Sequence, residues 1–330
     1  MRIVVTGSIA TDHLMTYSGR FVDALLPDKL DALSVSFLVD GLDIRRGGVG
    51  ANIAFGMAVL GLRPVLVGAV GNDFADYRSW LDRHGVDTSA VHVVDDVHTA
   101  RFVCTTDQAQ SQIASFYPGA MEQARDIELG PVAEQVGGVD LVLVGANDPE
   151  AMLRHTAECR QRGLAFVADP SQQLASATGD QIRALIDGAA YLFANEYESA
   201  LIASKAGWTG DEIAERVGVR VTTMGAKGAR VERPGAPAVE VSVPAEKRKA
   251  DPTGVGDAFR AGFLAATSWG LGDERCAQVG ALLATYVVET VGTQEYRFTR
   301  DEFAQRFGDA YGDAAAAEVV PNLAGAGAFR

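Results

Sequence analysis

Apolar positions along the chain follow two rhythms. Short unbroken runs at 3–6, 65–69, 141–145, 165–168, 191–194 and 219–223 suit strands buried on both faces. Between them, the stretches 51–60, 74–83, 149–162, 180–187 and 211–216 read as amphipathic or Ala-rich helices. Strands alternating with helices through short connections predict an α/β fold, three layers deep, with a mostly parallel central sheet.

Two regions break the rhythm. Residues 33–45 (LSVSFLVDGLDIR) alternate around Asp40-Gly41, and 91–117 contains TARFVCTT and SQIASFY on either side of the polar DQAQ. Both predict a small β-sheet that projects from the body as a lid, formed from about 12–46 and 91–118. After residue 241 the pattern turns helical, over 256–270, 273–291 and 300–311. The body is expected to be one domain over 1–320, and 321–330 (PNLAGAGAFR) a loose tail.

With 330 residues and 48% hydrophobic content the chain can bury a large core. A net charge of −14 argues against nucleic acid or an anionic membrane as partner. The N-terminal apolar run ends at Gly7, too short for a signal-peptide core, and no run is long enough to span a membrane, so a cytoplasmic location is expected. Cys104, Cys159 and Cys276 are scattered and odd in number, which predicts reduced thiols, and the five histidines have no metal-ligand spacing.

The chemistry points to DPTGVGDAF at 251–259. Gly254 and Gly256 precede a helix with Phe259, Phe263 and Ala266 on one face, so the glycine loop lies at a helix N-terminus, where unpaired amides and the dipole favour an anion. Asp257 makes sense there as an acceptor of a proton from an attacking hydroxyl, or else as an ordinary helix cap. A second glycine loop, Gly47-Gly48-Val49-Gly50-Ala51-Asn52, places amides and an Asn side chain where sugar hydroxyls can be held, or simply starts a helix. Neither the P-loop pattern nor a dinucleotide G-x-G-x-x-G after the first strand is present.

Taken together, GGVGAN (47–52), NEYE (195–198), TMGAKG (223–228) and DPTGVGD (251–257), in that order, resemble the ribokinase-like, or PfkB-type, carbohydrate and nucleoside kinases. Finer stretches, TGSIATDHLM, SFLVDGLDIRRGG, ASFYPGAM, GANDPEAM and ADPSQQL, resemble adenosine kinases of the actinobacterial and mycobacterial type. The resemblance covers nearly the whole chain up to Val320 and implies a ribokinase-like fold with ATP-dependent phosphorylation of adenosine at its 5′-hydroxyl, a purine-salvage reaction. A kinase for another nucleoside or for a sugar such as ribose is the alternative, and a catalytically silent nucleoside sensor a more distant one.

The resemblance also assigns roles. It makes Asp257 the base and the amides of Gly254, Val255 and Gly256 the anion hole. Asp12, with Gly48 and Asn52, would hold the ribose, and Ser8, Ser36, Gln172 and Gln173 would surround the nucleoside. Phe102 and Phe116 would sandwich the purine, unless they only pack the lid. Asp169 ends a strand at the ligand-binding edge, or forms a turn. Asn195 and Glu198 match an N-x-x-E motif, Glu198 meeting magnesium through water, unless the pair only starts a helix. Thr223, Gly225, Lys227 and Gly228 would line the ATP site, unless the glycines only turn a hairpin. Mg2+ with ATP is implied, K+ activation is left open, and a homodimer through the lid is expected because exposed strand edges need cover. Pro252 stands where the family commonly has Thr, and Val255 where it has Ala, which implies tuning of the anion loop. The basic Lys247-Arg248-Lys249 reads as a surface loop that can also draw in ATP.

Overall fold

The computed structural model describes residues 1–24 and 34–323. Its strands are β1 (Ile3–Thr6), β2 (Ala10–Thr16), β3 (Gly41–Gly47), β4 (Val65–Gly71), β5 (Val91–Val94), β6 (Ala100–Thr106) and β7 (Gln112–Tyr117), then β8 (Leu141–Gly145), β9 (Phe166–Asp169), β10 (Tyr191–Asn195), β11 (Val219–Thr223), β12 (Ala229–Glu232) and β13 (Val239–Val241). The helices are α1 (Phe21–Ala24), α2 (Val49–Val59), α3 (Ala75–Arg83), α4 (Leu129–Gln135), α5 (Pro149–Arg162), α6 (Gly179–Ile186), α7 (Glu196–Ala206), α8 (Gly210–Arg216), α9 (Val255–Ser268), α10 (Asp273–Val288), α11 (Arg300–Tyr311) and α12 (Asp313–Val319).

Among these residues a nine-stranded sheet runs β13-β12-β11-β10-β9-β8-β1-β4-β5, parallel from β11 to β5 and antiparallel only at β12 and β13. Successive side chains of a strand point to opposite faces, and β1 shows the consequence. Ile3 and Val5 enter the apolar layer under α2, α9 and α10, whereas Val4 enters the layer under α5, α6 and α7. Both faces of the sheet are therefore buried, which explains the unbroken apolar runs. β1 lies between β8 and β4, so chain connections diverge on its two sides and leave a crevice at its carboxyl end, where open α/β sheets take ligands.

A separate four-stranded sheet, β3-β2-β6-β7, forms the lid. It differs from the sequence reading in three ways. β2 supplies a central strand, paired antiparallel to β3 and parallel to β6. The expected strand at 33–40 has no ladder partner: Leu33 lies outside the described residues, and from 34 to 40 Val35, Phe37 and Val39 are half-buried while their neighbours are exposed. The period of two was real, but Phe37 packs against Tyr17 and Phe21 instead of pairing its backbone in a sheet. Lastly, β5 pairs with β4 and joins the main sheet, so the lid's second segment begins at β6.

The tail also differs from expectation, because Leu323 is fully buried in a short 3-10 turn over Val320–Leu323 and extends the core under α11 and α12. Residues 324–330 of the expected tail lie outside the described set. No described helix is long and apolar enough to cross a membrane. The three cysteines are free and buried.

Candidate active site

A cavity of about 370 Å³ opens between the carboxyl end of β1 and the lid. A larger depression, about 1020 Å³, sits around Met1, Arg2 and Gly138, at the amino end of β1, but gathers none of the glycine-loop chemistry. The cavity at the carboxyl end brings together Ser8, Asp12, Gly48, Asn52, Phe102, Phe116, Gln172, Gln173, Gly254 and Asp257, although the chain separates the first from the last by most of its length. Ser36 does not line it; it stands exposed on the opposite side of its segment from Phe37.

The floor is built at two helix N-termini. Gly254 caps α9 with φ +75°, and a Cβ there would meet the Thr293 side chain at 2.8 Å, so both the backbone and the space demand glycine. The amide of Val255 makes a long 3.4 Å contact with the Pro252 carbonyl, while the amides of Gly254 and Gly256 have no protein acceptor among the described residues. Gly48, with φ +96°, caps α2 in the same way, and a Cβ on it would strike the Ser8 carbonyl oxygen. Ser8 fastens this second helix: its Oγ accepts from the Val49 amide at 3.0 Å and its carbonyl from the Gly50 amide at 3.0 Å.

Asp257 lies in the first turn of α9, at the bottom of the cavity, and its Oδ2 accepts a 2.8 Å hydrogen bond from Asn52 Nδ2. Burial pushes its carboxyl up to about 7, with Asp169 and Glu198 adding to the rise and Asn52 and Arg260 opposing it. Arg260 was not singled out from the sequence, though an arginine inside the otherwise apolar run AFRAGF was the signal. It is buried, with Nε 2.6 Å from Asp169 Oδ2 and a terminal nitrogen 3.9 Å from Glu198. Burial pushes Asp169 up and outweighs Arg260, whereas the surrounding carboxylates raise Arg260 against its own burial. Because a guanidinium keeps its proton at any ordinary pH, the pair's charge turns on Asp169.

On the lid, register fixes the geometry. Asp12 of β2 pairs with Phe102 of β6, which pairs with Phe116 of β7, so one carboxylate and two aromatic rings form a row on the cavity face. Burial raises the Asp12 carboxyl to about 6, helped by Asp251 and Glu295. At the wall, Gln172 and Gln173 follow Ser171, whose φ of +46° is a strained value for a non-glycine residue. Gln173 Nε2 donates to the Asn147 carbonyl at 2.8 Å. Asn147, another residue the sequence reading passed over, is buried; its Oδ1 accepts from the Asp148 amide, while Nδ2 has no partner beside the cavity. Its signal was an asparagine two residues past an apolar strand, in GANDP.

The residues assigned to ATP do not line the cavity. Asn195 and Thr223 are neighbours in register at the ends of β10 and β11, on the same edge of the sheet. Asn195 and Glu198 form a reciprocal capping box at the start of α7, each side chain accepting from the other's amide at 2.8 Å. Gly225 and Gly228 turn the chain between β11 and β12 with φ of +57° and +101°, and Lys227 pairs with Glu196 at 3.3 Å. No three acidic, His or Cys side chains among the described residues converge into a cage for a metal. Of the carboxylates present, Glu198 fits a magnesium ion held largely by water and nucleotide phosphates, whereas the buried Asp169 is engaged by Arg260.

The sequence matches the pfkB family of carbohydrate kinases over residues 3–299. It is 32% identical to a nucleoside kinase from Methanothermobacter thermautotrophicus, over 79% of this chain and 84% of that one. The structure superposes with a TM-score of 0.83 on a nucleoside kinase from Burkholderia thailandensis solved in complex with inosine, 33% identical, covering 94% of this chain and 99% of the other. A ribokinase from Bacillus subtilis is 25% identical over 91% of this chain and 97% of its own.

Proposed function

The chain belongs to the pfkB family of carbohydrate kinases, and we propose that within it this protein is an ATP-dependent nucleoside kinase, with adenosine as the substrate phosphorylated at the 5′-hydroxyl. The observation that carries the reading is the row of Asp12, Phe102 and Phe116 facing the cavity that holds Asp257. A flat heterocycle stacks on aromatic faces, a cis-diol donates two hydrogen bonds to one carboxylate, and a primary hydroxyl then reaches the base. A free sugar has no use for the aromatic pair.

In this mechanism the Asp257 carboxylate accepts the proton of the 5′-hydroxyl as its oxygen attacks phosphorus. A carboxyl near 7 is matched to that task at neutral pH. We assign the amides of Gly254, Val255 and Gly256, at the N-terminus of α9, to the negative charge that the transferring group accumulates, as fixed dipoles that need no rearrangement. Arg260, behind the base, offsets the negative charge of Asp169 and Glu198 so that Asp257 can ionise. Magnesium, when bound with ATP, neutralises the phosphates and orients them. Asn195, Thr223 and Gly225 line the sheet edge beside this site and are the residues we assign to the nucleotide, with Lys227 and Gly228 in the same turn.

A second reading within the class, inosine or another purine nucleoside, is favoured by the structural likeness to the inosine-bound enzyme. The exposed Gln172 has an amide that can turn to match either a 6-amino or a 6-oxo purine. The deciding experiment is ADP release from MgATP with adenosine, inosine, guanosine, cytidine and D-ribose. Turnover with adenosine at the highest kcat/KM is expected; turnover with D-ribose alone would overturn the nucleoside reading, and none with any acceptor would overturn the kinase.

A further inference from the structure

Asn52 is in position to favour the ionised base only if its NH2 group, and not its carbonyl oxygen, faces Asp257. An asparagine amide is nearly symmetrical in shape, so its own packing does not decide the matter; its hydrogen-bond partners do. Asn52 Oδ1 lies 3.0 Å from Gln294 Nε2 and 2.9 Å from Thr293 Oγ. Thr293 has one hydroxyl hydrogen and a second acceptor, the Arg46 carbonyl at 2.9 Å, so it serves Asn52 only part of the time. Gln294 has no such conflict, because its two amide hydrogens meet two acceptors, Asn52 Oδ1 and Tyr77 Oη, the latter at 2.6 Å.

The orientation of Gln294 is in turn fixed by groups that cannot reverse. Trp80 Nε1, which only donates, lies 3.1 Å from Gln294 Oε1 and compels the carbonyl to face it. Tyr77 Oη lies 2.9 Å from the Gly47 carbonyl, which only accepts, so the tyrosine donates there and accepts from Gln294. The indole is itself clamped, with the Arg46 guanidinium 4.3 Å from its ring centre and Phe55 stacked at 6.1 Å. From Trp80 on α3 through Gln294 and Asn52 to Asp257, every donor points the same way.

We propose that Gln294 is a positioning residue for the base: oriented by Trp80 and Tyr77, it holds the Asn52 amide with its NH2 toward Asp257 and thereby keeps Asp257 ionised at the pH of catalysis. The proposal rests on Asp257 acting as the base. The other groups facing that carboxylate are Arg260 from its own helix, Asp169 at the end of β9, Glu198 on α7 and Tyr296 from the loop after α10; none of them belongs to the relay, so their influence stays constant when the relay is broken.

The test is the pH dependence of kcat with saturating MgATP and adenosine for Gln294→Met, Gln294→Glu and Trp80→Phe. Gln294→Met removes the donor at similar length, and its acid limb should move up by about one pH unit, a roughly ten-fold loss on the acid side that recovers to within about two-fold on the alkaline plateau. Gln294→Glu can only accept from Asn52, which turns the asparagine's carbonyl toward Asp257, and the limb should move further. Trp80→Phe keeps an aromatic side chain but loses the indole N–H, so it tests the relay even where a Gln294 variant fails to fold; it should move the limb in the same direction by less. An equal loss at every pH, or an unmoved midpoint in the folded variants, overturns the relay. Asp257→Asn run alongside separates the two ideas: normal turnover there sinks the base assignment, whereas collapse there with unmoved midpoints in the others sinks the relay alone.

Discussion

Asp257 carries a stability cost that its replacement should reveal. Its ordinary carboxyl value of 3.8 rises to about 7 in the fold, first because it is buried and then because Asp169 and Glu198 repel its charge. Between those two values the folded protein holds a proton that the unfolded chain has released, so this group's contribution to stability is complete below 3.8 and is lost as pH rises through about 7. At about 1.4 kcal/mol per pKa unit the full loss is of the order of 4 kcal/mol. Water reaches the carboxylate through the cavity mouth, which makes that figure a ceiling. Between about pH 5.5 and pH 8.5 the wild-type protein should lose about 1–2 kcal/mol through this group alone. Asp257→Asn keeps the shape and the Asn52 contact but cannot ionise. Its stability advantage over the wild type, from urea unfolding at the two pH values, should therefore grow by that amount on the alkaline side while turnover falls roughly 10²–10⁴-fold. A difference independent of pH would refute the burial argument, and undiminished turnover would refute the catalytic role.

Replacing Phe102 and Phe116 by Ala should raise the nucleoside KM by roughly 10- to 100-fold for each ring that stacks, with a smaller change in kcat, since base stacking contributes about 1–3 kcal/mol per ring; unchanged KM in steady-state kinetics would leave the rings as lid packing only. The outer lid face, opposite Asp12, exposes Leu42, Ile44 and Ile113, and we expect it to be covered by the lid of a second copy. Light scattering should then give a dimer that Ile44→Lys converts to monomer, and a wild-type monomer at micromolar concentration would remove that expectation.

The sequence by itself determined the layering and the local chemistry of the loops. Unbroken apolar runs marked strands buried on two faces, and the glycines at 48 and 254 fell where the backbone takes positive φ at a helix N-terminus. Such features are legible because period and glycine content report on a residue's own backbone and on how many of its faces are buried. They do not say which distant residue comes to lie opposite. The alternation at 34–40 was read as a strand of the lid, yet only packing decided that Tyr17 and Phe21, not a neighbouring strand, would cover Phe37. The parallel pairing of β2 with β6 put Asp12 in line with Phe102, and nothing local to either segment specifies that register. Arg260 next to Asp169, and Asn52 held against Asp257 across 205 positions of chain, arise from helices converging on one end of the sheet. Burial there is a collective property of the whole core, so the raised carboxyl of Asp257 came into existence only with the tertiary structure.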